Sequence, residues 1–307
     1  MIPARYLLLL SFVFTFPCLL NAGDGDGWSP LAVLPFDLKD KGITLTIRLN
    51  DNPLPLVFLL DTGADGMAIR KSPADSLGLK ADYSQDAYIV GGKKKINIST
   101  GNRVHLCGSL SLAGQNIAVF DDISGVDGII GLNLLKDYIT RFDFDKQEIQ
   151  LFRPGCFSLP PEVLATVSVS MRRNLIFIEG ELDLTGKGAV KGNFLLDTGA
   201  NYYLIAFSRF VRKNRLLLSG FKPEGMGSTV SMGHATPVYH GTANRFAIDR
   251  DIFLEAMPVT LQASAGGTES GDEYAPDGSI GILFFKRYNF TVNLPEKQVY
   301  LERRLHE

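Results

Sequence analysis

Alternation of apolar and polar residues predicts two consecutive β-strands early in the chain. Apolar side chains occupy every second position of the first strand, which is the period of a strand with one buried face: Ile43, Leu45, Ile47 and Leu49. A turn-forming cluster follows at 50–53, and Leu54 to Leu60 is then almost continuously apolar. The pattern therefore predicts a half-buried strand, a turn and a more deeply buried strand.

The same pattern occurs in the second half of the chain. Apolar residues precede a turn at 185–188: Ile176, Ile178, Leu182 and Leu184. A further apolar strand is predicted from Gly192 to Leu196. Helical segments are short: one begins with Ser72 as N-cap and ends at Gly78, and Phe207 to Leu216 is the corresponding segment of the second half. The chain is therefore predicted to be rich in β-structure.

Two blocks of sequence recur along the chain. Phe-Leu-Leu-Asp-Thr-Gly-Ala stands at 58–64 and again at 194–200, and Asp-Gly-Ile-Ile-Gly at 127–131 returns as Asp-Gly-Ser-Ile-Gly at 277–281. Self-similarity of this kind indicates a tandem duplication. The second copy has a longer spacing between its two blocks, and we expect the extra residues in the Gly-rich stretch 262–276.

The duplication and the N-terminal segment together predict the domain organisation. We expect a signal peptide at 1–22, an N-terminal lobe at 23–158, a linker with two prolines at 159–166, and a C-terminal lobe at 167–307. Each Asp-Thr-Gly-Ala block is predicted where a buried strand ends and a turn begins.

The first 22 residues are typical of a secretory signal peptide. Arg5 precedes an uncharged apolar run from Tyr6 to Leu20, and Ala22 provides a small residue at a cleavage site. The run is shorter than the ~20 residues that a membrane-spanning helix needs. We therefore expect an extracytoplasmic protein, periplasmic or secreted, with an uncleaved N-terminal anchor as the alternative. No other stretch is long and apolar enough to span a bilayer.

Composition and charge exclude several classes of protein. Lys and Arg number 31 against 33 Asp and Glu, so the basic excess of a nucleic-acid-binding protein is missing. With 45% hydrophobic and 21% charged residues, the chain is globular rather than disordered. Three cysteines are too few for a disulfide scaffold. After cleavage Cys107 and Cys156 remain, either as one disulfide or as two buried thiols.

The two Asp-Thr-Gly blocks are the candidate chemical site. A structural alternative is that duplication copied a turn, in which Asp caps the turn, Thr bonds the backbone and Gly takes a positive φ. The functional interpretation brings Asp61 and Asp197 together across a pseudo-two-fold axis. Like charges at hydrogen-bonding distance cannot both ionise, so the pair would share one proton. One carboxylate would then activate a water while the protonated one donates to a carbonyl oxygen.

The neighbours of the two aspartates fit this interpretation. Gly63 and Gly199 allow the backbone to approach the carboxyl groups closely, and Thr62 and Thr198 have hydroxyls that can tie the two loops together. The reaction needs no metal, no cofactor and no covalent intermediate.

The duplicated motif resembles the catalytic loop of the retropepsin-like and pepsin-like aspartic peptidases, in which two aspartates share a proton. The resemblance covers nearly all of the mature chain. It implies an all-β fold with two homologous closed β-barrel lobes of the acid-protease type, related by a pseudo-two-fold axis, with few short helices. It also implies that Asp61 and Asp197 are catalytic and that the rest of each loop supports them: Thr62, Gly63, Ala64, Thr198, Gly199 and Ala200.

The resemblance extends to the second block and to a flap. Gly128 to Leu132 matches the hydrophobic segment that supports the catalytic loop, while the second copy departs from it at Ser279. A glycine-tipped hairpin flap over the substrate is implied at Tyr88 to Ile98, with Gly91 and Gly92 at the tip; the second copy matches poorly at 225–233. An ordinary surface hairpin is the alternative for both.

The two halves of the cleft are expected to differ in charge. Asp65 follows the first motif, whereas Asn201 follows the second. We therefore expect an exported, monomeric, single-chain aspartic endopeptidase that acts on polypeptides with unequal preferences on its two sides. Two alternatives remain: a catalytically silent peptide-binding protein on the same scaffold, and a protein whose lobes pair with those of another chain.

Overall fold

The structure is a computed structural model that describes residues 29–305, apart from 40–41, 90–91, 109, 122, 124, 232–233 and 264–274. The expected signal peptide, Gly91 of the expected flap and most of the Gly-rich insertion lie outside the described residues.

The described residues are folded mainly into strands. The strands of the first half are β1 (Ala32–Pro35), β2 (Asp37–Lys39), β3 (Gly42–Leu49), β4 (Leu56–Leu60), β5 (Met67–Arg70), β6 (Tyr83–Ile89), β7 (Gly92–Cys107), β8 (Leu110–Phe120), β9 (Gly128–Ile130), β10 (Ile139–Asp143) and β11 (Glu148–Phe152). Those of the second half are β12 (Val163–Arg172), β13 (Leu175–Asp183), β14 (Val190–Asp197), β15 (Leu204–Ala206), β16 (Gly225–Ser231), β17 (His234–Ala247), β18 (Phe253–Gln262), β19 (Gly278–Gly281), β20 (Tyr288–Asn293) and β21 (Gln298–Arg303).

The described helices are short, as the sequence predicts. They are α1 (Lys71–Ser76), α2 (Asn133–Asp137), α3 (Ser208–Lys213) and α4 (Ile282–Phe285), with a 3₁₀ turn at Leu216–Leu218. Within the described residues, none of the helices has the length and apolar character that a membrane crossing requires.

Six strands of the first half close into a barrel. Their order is β3-β4-β9-β5-β8-β7, and a further pairing between β3 and β7 closes the ring. Strand β4 lies parallel to β9, and β5 lies parallel to β8. Strands β2 and β6 extend the sheet at its two ends.

The second half repeats this arrangement. Its strand order is β13-β14-β19-β15-β18-β17, closed by a pairing between β13 and β17, with β14 parallel to β19 and β15 parallel to β18. The expected all-β fold with two barrel lobes and few helices is confirmed. Closure of each ring leaves few strand edges without a hydrogen-bonded neighbour.

A six-stranded sheet joins the two halves, in the order β1-β11-β10-β20-β21-β12. At its centre β10 and β20 are antiparallel, with Arg141 opposite Thr291. Arg141 and Thr291 are separated by the same number of residues as the two copies of the second block, at 127–131 and 277–281. They therefore occupy equivalent positions in the duplication. The pseudo-two-fold axis therefore passes through this residue pair. The last four residues of the stretch 159–166 belong to β12, which pairs with both β21 and β13.

The second sequence block has small residues because aromatic rings fill the space next to it. Phe58 and Phe194 are fully buried at equivalent positions in the barrels. A Cβ on Gly128 would collide with the ring of Phe58, and one on Gly278 would lie 2.8 Å from the ring of Phe194. Glycine at these positions thus lets β9 and β19 lie against the strands that lead to the two aspartates.

The first helix begins two residues earlier than the sequence predicts. Arg70, not Ser72, is the N-cap of α1, and its side chain makes no capping hydrogen bond. The amide of Arg70 instead donates to the carbonyl of Asp127, so strand β5 continues up to the first helical residue. Gly78 ends the helical segment with φ of +66°, as its position in the sequence indicates.

Neither expectation for the cysteines is correct. Cys156 is free and exposed, so it is neither buried nor joined to Cys107. Sequence alone does not give the Cα separations and side-chain directions on which a disulfide depends.

Candidate active site

The two Asp-Thr-Gly-Ala loops begin where parallel strands end side by side. Asp61 directly follows β4, and its amide donates to the carbonyl of Ile130 at 2.9 Å. Asp197 is the last residue of β14 and lies opposite Gly281 of β19. Each aspartate is therefore held by a central strand of its barrel and by the second sequence block.

The aspartate that opens the second block also has a structural role, which the sequence did not reveal. The carboxylate of Asp127 accepts a hydrogen bond from the amide of Val57 at 2.9 Å. Asp277 accepts the equivalent bond from the amide of Asn193 at 2.8 Å. Each carboxylate thus accepts a hydrogen bond from a backbone amide of the strand that leads to the candidate catalytic residue.

Glycine at the end of the second block lets each loop close against it. A Cβ on Gly131 would meet the carbonyl oxygens of Ala64 and Gly66, and one on Gly281 would meet that of Ala200. The amide after Gly131 donates to the carbonyl of Ala64 at 3.0 Å, and the amide after Gly281 donates to that of Ala200 at 2.9 Å. The carbonyls of the two loop alanines are thereby fixed.

Four reciprocal hydrogen bonds join the loops of the two lobes. The hydroxyl of Thr62 donates to the carbonyl of Leu196 at 2.6 Å, and that of Thr198 donates to the carbonyl of Leu60 at 2.7 Å. Each hydroxyl also accepts from the amide of the opposite threonine, at 3.0 and 3.1 Å. Both threonines are fully buried. The structure thus contains the hydroxyl-to-backbone ties that the motif predicts.

The carboxyl groups of Asp61 and Asp197 meet at the centre of this arrangement and are hydrogen-bonded to each other. The amide of Gly63 donates to Oδ1 of Asp61 at 2.8 Å. A Cβ on Gly63 would lie 3.0 Å from Oδ1 of Asp197, and one on Gly199 would lie 2.6 Å from Oδ1 of Asp61. Each glycine therefore makes room for the carboxyl group of the opposite lobe.

The environment of the pair favours one shared proton. Burial, together with the negative charge of Asp197, raises the pKa of Asp61 from 3.8 to about 8. Burial also raises the pKa of Asp197, but hydrogen bonds from Ser279, Asp61, Tyr202 and the amide of Gly199 oppose that rise. The pair can therefore hold a neutral carboxylic acid beside a carboxylate near neutral pH.

Two hydroxyls at the site were not predicted from the sequence. Ser279 donates to Oδ2 of Asp197 at 2.8 Å, and the phenol of Tyr202 donates to the same oxygen at 3.3 Å. Ser279 carried a signal, because it interrupts the apolar pattern of the second block. No pattern in the sequence pointed to Tyr202, since the equivalent position of the first copy is Gly66.

The expected charge difference between the two sides is partly neutralised. Asp65 forms a salt bridge with Lys136 at 2.6 Å and accepts a hydrogen bond from the side-chain amide of Asn174 at 3.2 Å. Asn174 lies at the turn between β12 and β13, in the second half of the chain. The carboxylate of Asp65 therefore helps to join the two halves, and it adds less free charge than the sequence suggests.

Hairpins are present at both expected flap positions. Strands β6 and β7 pair up to Ile89 opposite Gly92, while Gly91 lies outside the described residues. Strands β16 and β17 pair up to Ser231 opposite His234. The second hairpin thus corresponds to the first despite its poor match in sequence.

Comparisons with known proteins agree with this geometry. Residues 45–134 match the family described as aspartyl protease. The fold is similar to that of the aspartic proteinase from Irpex lacteus, with a TM-score of 0.54 and 13% identity, over 89% of this chain and 97% of that one. No curated protein sequence matches the chain significantly. The resemblance expected from the sequence is confirmed, by the family over residues 45–134 and by the fold over most of the chain.

Proposed function

For a chain with an aspartyl protease domain and the fold of an aspartic proteinase, we propose the function of an aspartic endopeptidase in which Asp61 and Asp197 are catalytic. The observation that carries the proposal is the hydrogen-bonded carboxyl pair, to which each lobe contributes one aspartate. The copied-turn alternative does not account for a buried pair of acids facing each other.

The reaction follows from the shared proton. One carboxylate takes a proton from a bound water as its oxygen attacks the carbonyl carbon of the scissile amide, while the other carboxyl group gives its proton to the carbonyl oxygen. The resulting diol collapses when the C–N bond breaks. The amine nitrogen receives the proton from the first aspartate, and a diol hydroxyl returns one to the second. The pair is then restored.

The support residues keep this pair preorganised. Because Thr62 and Thr198 each bond the backbone of the opposite lobe, the two loops have little freedom to separate. Because glycine follows each threonine, the carboxyl groups meet without a side chain between them. Holding catalytic groups in the reactive geometry lowers the barrier by avoiding reorganisation during the reaction.

We also propose that the protein is exported through its N-terminal segment, acts on polypeptides and is a monomer. Both carboxyl groups come from one chain, which supports the last point. A mass measurement on the exported protein tests it, because an obligate dimer would favour pairing of lobes between chains.

The test of the function is cleavage of a peptide library, read by mass spectrometry from acidic to neutral pH. We expect cleavage by the wild type and a loss of about 10²–10⁴-fold in Asp197→Asn, since that variant lacks one member of the acid–base pair. Asp75→Asn is the matched control, because Asp75 is exposed on α1, away from the carboxyl pair, and forms a salt bridge with Lys71.

Three results would contradict the proposal. Cleavage that persists in Asp197→Asn would place the activity elsewhere, and an equal loss in a folded Asp75→Asn variant would show that the effect is not specific to the aspartate pair. A folded wild type that binds peptides without cleaving them would favour the peptide-binding alternative.

A further inference from the structure

The two aspartates have unequal surroundings. Oδ2 of Asp197 accepts hydrogen bonds from the hydroxyls of Ser279 and Tyr202. The register of β4 with β9 and of β14 with β19 makes Ile129 the counterpart of Ser279. Gly66 is the counterpart of Tyr202. The first lobe therefore has no hydroxyl at either position, and its aspartate accepts from the amide of Gly63.

Both hydroxyls lie against the carboxyl group of Asp197, and Ser279 is the more deeply buried of the two residues. Ser279 is 1% exposed, and its side chain also interacts with that of Tyr202. Two donors on a single carboxylate oxygen stabilise the ionised form of that group. Tyr202 donates as a neutral phenol, because burial raises its pKa well above its ordinary value.

The other ionisable groups near Asp197 do not cancel the difference in hydrogen bonding between the two aspartates. Among the described residues, Asp61 and Tyr202 are the titratable groups that act on it. Asp65, on the neighbouring loop, is paired with Lys136. The difference between the two carboxyl groups therefore arises from the Ser279 and Tyr202 hydroxyls.

We propose that Ser279 and Tyr202 are positioning residues that keep Asp197 as the ionised carboxylate and leave the shared proton on Asp61. This inference rests on the proposed function and assigns its two roles. Asp197 takes the proton of the attacking water, and Asp61 donates its own proton to the carbonyl oxygen. When the C–N bond breaks, Asp197 passes its proton to the amine and Asp61 recovers one from the diol.

The kinetic test is the pH profile of kcat/KM for Ser279→Ala and Tyr202→Phe. Each change removes one donor to Asp197, so we expect the acidic limb to move up by about one pH unit. At a pH below the wild-type optimum kcat should fall about 10-fold or more, with KM nearly unchanged, because each change acts on the ionisation of Asp197.

Two further variants separate the hydroxyl from its packing. Ser279→Thr retains the hydroxyl, and we expect it to recover most of the loss. Ile129→Ser places a hydroxyl at the equivalent position beside Asp61, and we expect it to move the basic limb to lower pH. An acidic limb that stays in place in both Ser279→Ala and Tyr202→Phe would overturn the proposal. A shift in Ser279→Thr as large as that in Ser279→Ala would do the same.

A second measurement does not depend on activity. In protein labelled with ¹³C at the aspartate carboxyl carbons, we expect Asp197 to be ionised and Asp61 protonated at neutral pH, with assignments from the Asp61→Asn and Asp197→Asn variants. Ser279→Ala should raise the midpoint of Asp197. The reverse order of titration would refute the assignment even if no substrate is found, whereas silence in the cleavage assay alone would refute only the proposed function.

Discussion

The two copies of the Phe-Leu-Leu-Asp-Thr-Gly-Ala loop have the same backbone arrangement but different chemical surroundings. In both, the threonine hydroxyl bonds the carbonyl two residues before the opposite threonine, and the glycine faces the opposite carboxyl group. Among the described residues, the hydroxyls of Ser279 and Tyr202 donate to Oδ2 of Asp197 in the second loop, and the first loop has no hydroxyl at the equivalent positions.

The difference shows that shape and charge are determined by different residues. The seven repeated residues fix the path of the loop, because they supply the ties between lobes and the space for close approach. The ionisation of each aspartate depends on residues outside the repeat, where the copies have diverged. A duplicated site can therefore keep its geometry while its halves take separate roles.

The largest difference between the two loops is expected when one methyl group is added at each glycine. A Cβ on Gly199 would lie closer to the carboxyl group of Asp61 than one on Gly63 would to that of Asp197. We expect Gly199→Ala to reduce kcat/KM by about 10²-fold or more, because the carboxyl group must move from its reactive position. Gly63→Ala should have a smaller effect. If Gly63→Ala reduced kcat/KM as much as Gly199→Ala or more, the difference in distance between each glycine and the opposite carboxyl group would have no effect on activity.

Removing each threonine hydroxyl tests the symmetric part of the site. Thr62→Val and Thr198→Val each leave one buried carbonyl and one buried amide without a partner, at about 1–3 kcal/mol per group. We expect similar decreases in the free energy of unfolding, measured in urea. Thr→Ser at the same positions keeps the hydroxyl and should be milder. A Val variant as stable as its Ser counterpart would mean that these bonds contribute little.

A third expected effect is a pH dependence of the free energy of unfolding that is due to Asp61. Its pKa rises from 3.8 to about 8 on folding, so between these values the native state holds a proton that the unfolded chain has lost. Stability therefore falls as pH rises through this range. The Tm of the wild type should decrease relative to that of Asp61→Asn from pH 4 to pH 8. A constant difference in Tm would contradict the raised pKa.

Much of the fold was predictable because each signal was local. Alternating residues marked β3 and β13, and the repeated blocks marked the ends of β4 and β14. The start of α1 was not, because the capping pattern at Ser72 was outweighed by the bond that keeps Arg70 in its strand.

The site was predictable where both copies kept the same residues. Asp61 and Asp197 were found because the motif repeats, whereas Tyr202 stands opposite a glycine in the first copy and leaves no mark in the sequence. Its hydroxyl contacts Asp197 only because the loop before β15 folds back over the end of β14. Ser279 was noticed as an irregularity, but its role depends on which face of β19 meets the aspartate.

The hydroxyl ties between the lobes also determine when during synthesis the protein can become active. Each tie joins residues 134 to 138 positions apart, so none forms while only the first lobe has left the ribosome. Ser279 emerges later still. A nascent chain therefore carries a single unpartnered aspartate for most of its translation. Under the proposed function, the paired site is therefore completed late in the maturation of the chain.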